Sequence, residues 1–487
     1  MVNSTETTPD GQQHSGGSPE IACQANGGGI EAERDDNTSN ITVAIVGGGI
    51  VGIALALGLI QRGVRVDVYE RAGQVSEIGV GFAFTGVARK SITLLSPVVM
   101  ASLRRVANYN LSAMDNYWDG YHHDKDSRDA ANSEGKLLFQ MPNNGMDWWS
   151  CLRSQLLQDM SRSLPEDSMH FNKELVSYQD EPSSESPVVL QFADGTTAMA
   201  HVLVGCDGVR SRVRQQLLAL SHPQASIPSF SHKTCYRAII PMADAEAALG
   251  SSKPHNHCMH MGPGAHVLSY PVAQHTLLNM VIFLNQDKPW AHDGDDSHIL
   301  VPQMTRVGAK AQLEERLAGW RPEIQALIAH LPESLTTWGI FDTADHPAPV
   351  YAKCRVCLAG DAAHASSPHH GAGAGMGMED ALALATALAL ATEEKSVTNV
   401  PERSQKERLV SALKAFEDVR YARTQWLVHS SRETGDIYEW MRPDCGDDPF
   451  KLQRELESRQ KIISDYSVDA MVEETRKRYQ ERLQYAG

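Results

Sequence analysis

The sequence predicts an α/β fold that carries an inserted, mainly antiparallel β-sheet and ends in a helical region. Three observations predict it. A strand–turn–helix–strand unit fills residues 41–70. A second apolar strand, at 355–358, runs into a glycine-rich turn and a long Ala/Leu helix. Between them, from about residue 215, alternation of strands and helices gives way to a run of strands.

The first unit reads ITVAIVGGGIVGIALALGLIQRGVRVDVYE. Residues 41–46 are β-branched and apolar, as in a strand buried in a parallel sheet. Gly47, Gly49 and Gly52 then give G-x-G-x-x-G, residues 53–61 read as a helix stopped by Gly63, and 64–69 as a second strand ending on Glu70. Gly47 permits a tight turn, Gly49 lets a pyrophosphate approach the backbone, and Gly52 lets helix and strand pack closely. The helix N-terminus offers unpaired N–H groups to phosphate, and Glu70 stands where a carboxylate accepts hydrogen bonds from a ribose. This is a Rossmann-like dinucleotide-binding unit. Residues 43–60 carry no charge and are long enough for a membrane span, but three consecutive glycines and the second strand argue against one.

The chain has 487 residues, enough for two or three domains. Its net charge of −16, from 60 acidic against 44 basic residues, argues against a general nucleic-acid binder. The eight cysteines show no disulfide framework, which favours a reducing compartment. Cys354 and Cys357 form C-x-x-C within a strand-like run, where they would face opposite sides of the sheet. The first thirteen residues lack the basic start and apolar core of a secretory signal, so a cytoplasmic location is expected. Residues 1–39 hold almost no large apolar side chains and read as a disordered tail.

In order along the chain, residues 77–83 (EIGVGFA) bring glycines and the small Ala83 to a place where backbone could pass close to a ligand; an ordinary loop is the alternative. Residues 116–149 are polar and aromatic and read as strands and loops. A helix follows, with Ser150 as its N-cap and Arg153 in its first turn, available to a phosphate or flavin edge or simply to solvent. A hairpin over 188–204 feeds a third buried strand that ends in Asp207-Gly208, then Arg210, Arg212 and Arg214, whose charge suits phosphate. Runs at 234–241, 257–261, 266–270 and 278–284 read as an antiparallel sheet. Arg237 sits mid-strand among apolar neighbours, so it needs an acceptor: a carboxylate, a carbonyl or a bound anion. His255, His257, Cys258 and His260, like His122-His123, have no metal-ligand spacing, and no metal is expected.

The second motif is Ala359-Gly360-Asp361 through Pro368, then Gly371-Ala372-Gly373-Ala374-Gly375-Met376-Gly377. Asp361 can accept from a ribityl hydroxyl, and a glycine run ending at a helix start lets backbone N–H groups meet an anion. Residues 400–487 are charged and helical in pattern.

Taken together, the fingerprint with Glu70, the Asp207-Gly208-x-x-Ser211-x-x-Arg214 segment and the Gly360-Asp361…Pro368…Gly371-x-Gly373 run resemble the single-component FAD-dependent aromatic hydroxylases, the salicylate-hydroxylase-like class A flavoprotein monooxygenases. The likeness covers about residues 41–480. Within the class, SHKTCYRAIIPM around Arg237, HMGPGAHVLSYPVA around Tyr270 and SPHHGAGAG look like fungal polyketide-pathway enzymes that dearomatise phenols, of the tropolone, sorbicillinoid and azaphilone type. Many bacterial relatives have Gln where this chain has His370 and Ala372.

The resemblance implies a FAD-binding domain from 40–115, 150–215 and 346–398, a substrate domain from 116–149 and 216–345, and a helical region from 399–487. It implies that Glu70, Ala83, Arg153, Asp361 and Ala374 line the FAD, joined by Gly47, Gly49, Gly52, Asp207 and Gly373, and that Arg237 and Tyr270 handle substrate. It further implies NADPH or NADH as reductant, O2, and a phenolic small molecule as substrate. A monomer or homodimer without a membrane span is expected. The alternatives are decarboxylating hydroxylation of a salicylate-like acid and a flavin-binding protein without catalysis.

Overall fold

A parallel sheet of six strands is ordered Ala352–Lys353, Val356–Leu358, Val202–Gly205, Thr42–Val46, Arg65–Tyr69, Met169–His170, with only the first pair antiparallel. The structure, a computed structural model, describes residues 41–75, 81–109, 111–122, 135–142, 148–181, 185–290, 303–393 and 403–485. The N-terminal tail, residues 77–80 and His123 lie outside them. The central strand Thr42–Val46 is buried along Val43–Val46, which explains its unbroken apolar run. The uncharged stretch at 43–60 is therefore a strand, a turn and the eleven-residue helix Ile50–Ile60. That helix starts three residues earlier than the periodicity suggested, because extended Gly49 already serves as N-cap.

A second sheet of eight strands is ordered Thr305–Ala309, Ser334–Asp342, Ser229–Pro241, Leu277–Asn285, Ala265–Val272, Cys258–Gly262, Met114–Asp119, Lys136–Pro142. Only Cys258–Gly262 and Met114–Asp119 run parallel. Register fixes which side chains share a face. Arg237 lies opposite Val281, and Val281 opposite Leu268; one row along, Asn279 lies opposite Tyr270. Directly paired residues project to the same side of a sheet, and so do residues two apart on one strand. Arg237, Asn279 and Tyr270 therefore occupy one face, in adjacent rows.

The helix Gly373–Thr392 is long and apolar enough to cross a membrane by length and composition, but most of it is buried against other helices. A Cβ on Gly377 would come 2.3 Å from Val51, and one on Gly375 3.0 Å from Ala88. Two glycines of the run thus serve close helix packing. The C-terminal region forms Gln405–Tyr438, with a Ser404/Glu407 capping box, then Pro449–Ser464 and Val468–Tyr485. Ile437 and Tyr438 pack with Tyr117, Met259 and Met261 at the eight-stranded sheet.

Two local expectations are corrected. Ser150 caps no helix: it lies in the strand Trp149–Leu152, donates its hydroxyl to Pro271 O at 2.9 Å, and the helix begins at Arg153. Pairing of that strand with Gly81–Phe84 overrode the local capping signal. Cys354 is not on a strand; it occupies a left-handed turn (φ 51°) before Val356–Leu358, and both it and Cys357 are free thiols.

Candidate functional site

The glycine turn is tight on two sides and open on the third. A Cβ on Gly47 (φ 107°) would lie 2.4 Å from Cys206 O, and one on Gly52 2.0 Å from Gly47 O. One on Gly49 would meet only Arg153 Nη2, at 3.6 Å. The space in front of Gly49 is thus bounded by a guanidinium and a helix N-terminus, a place for an anion. Glu70 accepts from Gly48 N at 2.7 Å and from Ala72 N at 2.8 Å, so its carboxylate braces the turn beside the same opening. Ala83 pairs with Ser150 three residues before Arg153.

Asp361 faces the same region. It is exposed to the cleft, yet the protein around it raises its carboxyl pKa, against which His364 and Arg153 act. The Gly360–Asp361 turn is held from behind by Asp380. Its Oδ2 accepts from Gly360 N at 3.0 Å and lies 2.5 Å from His364 Nε2, while its Oδ1 accepts from Arg420 Nε at 2.9 Å. Gly373 and Ala374 form the first turn of the long helix and are half-buried, their backbone N–H groups lacking helical partners.

The structure gives the Asp207–Arg214 segment a different occupation from the phosphate contact expected. Asp207 accepts from Ser211 Oγ at 2.5 Å, Arg212 N at 2.6 Å and Val213 N at 3.1 Å, capping the helix Arg212–Leu218. Arg214 is buried and donates to the carbonyls of Ala225, His346, Ala362 and Ala363. Its charge ties this turn to the Gly360–Asp361 turn. No group of three or more His, Cys, Asp or Glu side chains suits a metal among the described residues.

On the eight-stranded sheet, Arg237 lies over the Trp338 ring at 5.2 Å, and its buried Nε has no hydrogen-bond partner. Among the described residues no acidic side chain forms an ion pair with it. Tyr270 is buried; burial raises its phenol pKa well above the ordinary value, with Arg237 acting in the opposite sense. A Cβ on Gly81 would meet its hydroxyl at 2.9 Å, so this sheet face adjoins the strand that carries Ala83. Asn279 Nδ2, in the same row as Tyr270, is also an orphan. Buried polar atoms are rarely left without partners. Arg237 Nε and Asn279 Nδ2 on one face are therefore polar atoms that a ligand could satisfy.

A family model described as an FAD binding domain matches residues 40–418. An FAD-dependent monooxygenase, SAT7, from Stachybotrys chartarum is 60% identical over 457 residues, covering 93% of this chain and 95% of the relative. The chain belongs to the FAD-dependent monooxygenases. The salicylate hydroxylase asL1 from Sarocladium schorii is 39% identical over 452 residues, covering 90% of this chain and 91% of the relative. A solved salicylate hydroxylase in complex with substrate superposes with a TM-score of 0.73 at 27% identity, covering 90% of this chain and 98% of that one. The monooxygenase is thus of the salicylate-hydroxylase type. Membership sets aside the alternative of a flavin protein without catalysis, and the cradle at Gly49 has the open side and the cationic neighbour that FAD requires.

Sequence reasoning missed the supporting groups. The Glu379-Asp380 pair inside an apolar helix was the available signal for the buried hub. Asn279 is legible only once strand register is known. His369 was passed over as part of a glycine run.

Proposed function

We propose that this monooxygenase hydroxylates, and dearomatises, a phenolic polyketide such as a methylated resorcyl aldehyde in fungal secondary metabolism, with NADPH or NADH as reductant. The observation that carries the reading is Arg237, whose buried Nε has no hydrogen-bond partner, beside Tyr270 on one sheet face. Gly47, Gly49, Gly52, Glu70, Arg153, Asp361, Gly373 and Ala374 are the residues we assign to FAD, with Ala83 at its ring.

Bound and reduced, FAD supplies with O2 an electrophilic oxygen atom. Such an atom needs an electron-rich carbon, and a phenol offers one once ionised. A free phenol titrates near pH ~10. A fixed cation beside it favours the phenolate by about 1–3 pK units. Arg237 supplies that cation without giving up a proton, and the Trp338 ring beneath it limits where the guanidinium can point. Tyr270 keeps its own proton because of burial. It therefore donates a hydrogen bond to the substrate oxygen or a neighbouring carbonyl and fixes which carbon faces the flavin. If that carbon bears a methyl group, aromaticity cannot return and a hydroxylated cyclohexadienone results. We expect a soluble cytoplasmic enzyme.

Arg237→Ala and Tyr270→Phe should keep bound flavin and lose turnover on methylated resorcyl aldehydes; unchanged kcat in both would refute the assignment. A second reading is decarboxylating hydroxylation of a salicylate-type acid, favoured by the hydroxylases of that name among the relatives. There Arg237 would pair the carboxylate. Mass spectrometry separates the two: gain of one oxygen without loss of carbon dioxide supports the first.

A further inference from the structure

The row of side chains that holds Tyr270 continues past it to His257. Cys258 lies between Ser269 and Asn116 in the sheet, so His257, one residue earlier, falls between Tyr270 and Asp115. Asn116 N donates to His257 O at 3.3 Å, which fixes that register. The His257 ring lies near-parallel to Tyr270, with centroids 6.3 Å apart at 21°, and to Trp148, 5.8 Å apart at 11°. Trp148 packs with Ala83, Ala372 and Met376, and a Cβ on Gly371 would meet it at 3.3 Å. Three aromatic rings thus run from the glycine run to Tyr270, with His257 in the middle. Its side chain is 16% exposed.

Asp115 sets how that ring is protonated. It is 1% exposed, and its Oδ2 accepts from Trp148 Nε1 at 3.1 Å. Its Oδ1 lies 3.5 Å from His257 Nδ1, a buried nitrogen with no hydrogen bond of its own. Burial lowers the imidazole pKa against the pull of Asp115, so His257 is neutral at working pH. Burial raises the Asp115 carboxyl pKa, against which His257 and the Trp148 N–H act. A neutral imidazole has one N–H and one lone pair. A lone pair facing a carboxylate oxygen is repelled, so the N–H stands on Nδ1 and the lone pair on Nε2. His257 is therefore an acceptor on this sheet face, the complement of Arg237 and Tyr270, which donate.

We propose that His257 Nε2 accepts a hydrogen bond from a second ring hydroxyl of the substrate, and so makes the enzyme select dihydroxy over monohydroxy aromatics. Strands stand ~4.8 Å apart, so three spacings put roughly 14 Å between the Arg237 strand and His257. The two side chains and two hydrogen bonds of about 2.8 Å each span most of that, leaving the width of one substituted aromatic ring. Arg237 and Tyr270 hold the hydroxyl that ionises; His257 holds the other, which keeps its proton. No covalent bond is made or broken at His257. This subsite rests on the phenol reading above and names the substituent pattern it takes.

The test measures dissociation constants by flavin fluorescence on flavin-loaded enzyme. The probes are a methylated resorcyl aldehyde, its two monohydroxy analogues and its two monomethyl ethers. The analogue and the ether that still ionise on binding are those altered at the His257 hydroxyl. Wild type should bind the diol about 10- to 100-fold more tightly than that monohydroxy analogue, the scale of one buried hydrogen bond. His257→Phe keeps a ring in the stack, so the preference should vanish while affinity for the monohydroxy analogue holds. Asp115→Asn turns an amide N–H toward Nδ1, which moves the imidazole N–H to Nε2; the ether, which only accepts, should then gain on the diol. A residue that merely walls the site would not shift the preference in that way. An unchanged preference in either variant, an equal loss for both ligands in His257→Phe, or a wild type that prefers the ether overturns the subsite alone. Should Asp115→Asn lose its flavin, His257→Phe decides. Wild type that binds no resorcyl aldehyde, or binds it without ionisation, overturns the phenol reading and the subsite with it.

Discussion

Replacing Asp380 by Asn should loosen the Gly360–Asp361 turn and unseat the flavin. Asp380 is fully buried and serves three groups at once: Gly360 N, His364 Nε2 and Arg420 Nε. Burial alone would raise its pKa, but His364 and Arg420 outweigh that and hold the carboxyl well below the usual range. Removing one partner of a buried ion pair costs about 3–5 kcal/mol. Glu379 still pairs Arg420 at 2.6 Å in the variant, which points to the lower end, about 3 kcal/mol. That is a large share of a typical domain stability of about 5–15 kcal/mol. Urea unfolding followed by flavin fluorescence gives the number, and equilibrium dialysis gives flavin affinity. The pH dependence has a fixed sign. A depressed folded pKa contributes stability above the unfolded value, near pH ~4, and loses it as pH falls toward the folded value. The gap between wild type and Asp380→Asn should therefore narrow below about pH 4. Glu379→Gln, which leaves Gly360 untouched, should cost stability with a smaller effect on flavin affinity. An Asp380→Asn protein within about 1 kcal/mol of wild type that keeps its flavin would refute the reasoning.

Gly435→Ala inverts the usual rule that Ala stabilises a helix interior over Gly by about 1 kcal/mol. Its Cβ would sit 2.7 Å from the His369 ring and 2.9 Å from Lys233 Cε, so we expect destabilisation of about 1–3 kcal/mol, read by thermal unfolding. Gly52→Ala forces the Gly47 carbonyl aside and should weaken flavin binding by roughly 10- to 100-fold, read by dialysis. Arg214→Met, which leaves four carbonyls without their donor, should destabilise the protein with no effect specific to NADPH affinity, because its guanidinium points inward.

The nucleotide cradle was legible in the sequence because its constraints are local. A β-branched strand, three glycines at fixed spacing and an acid at the next strand's end each leave a mark within thirty residues. The antiparallel run was legible as strands, but not as a sheet order, since pairing of Met114–Asp119 with Cys258–Gly262 joins segments over a hundred residues apart. Arg214 misled because a cluster of arginines reads as phosphate-binding charge until the carbonyls that enclose it are seen. Ser150 misled because a capping preference of about 1 kcal/mol yields to strand pairing. The buried contacts of Glu439 with Lys233 Nζ at 2.5 Å and His266 Nδ1 at 3.1 Å were invisible for the opposite reason: these are ordinary residues that only the tertiary fold brings together.

The most direct test of the account is to titrate the absorbance of a methylated resorcyl aldehyde bound to the flavin-loaded enzyme. Wild type should hold the phenol ionised at a pH about 1–3 units lower than Arg237→Ala does, while both retain flavin. Identical titrations in the two proteins would contradict the claim that a fixed guanidinium activates the substrate.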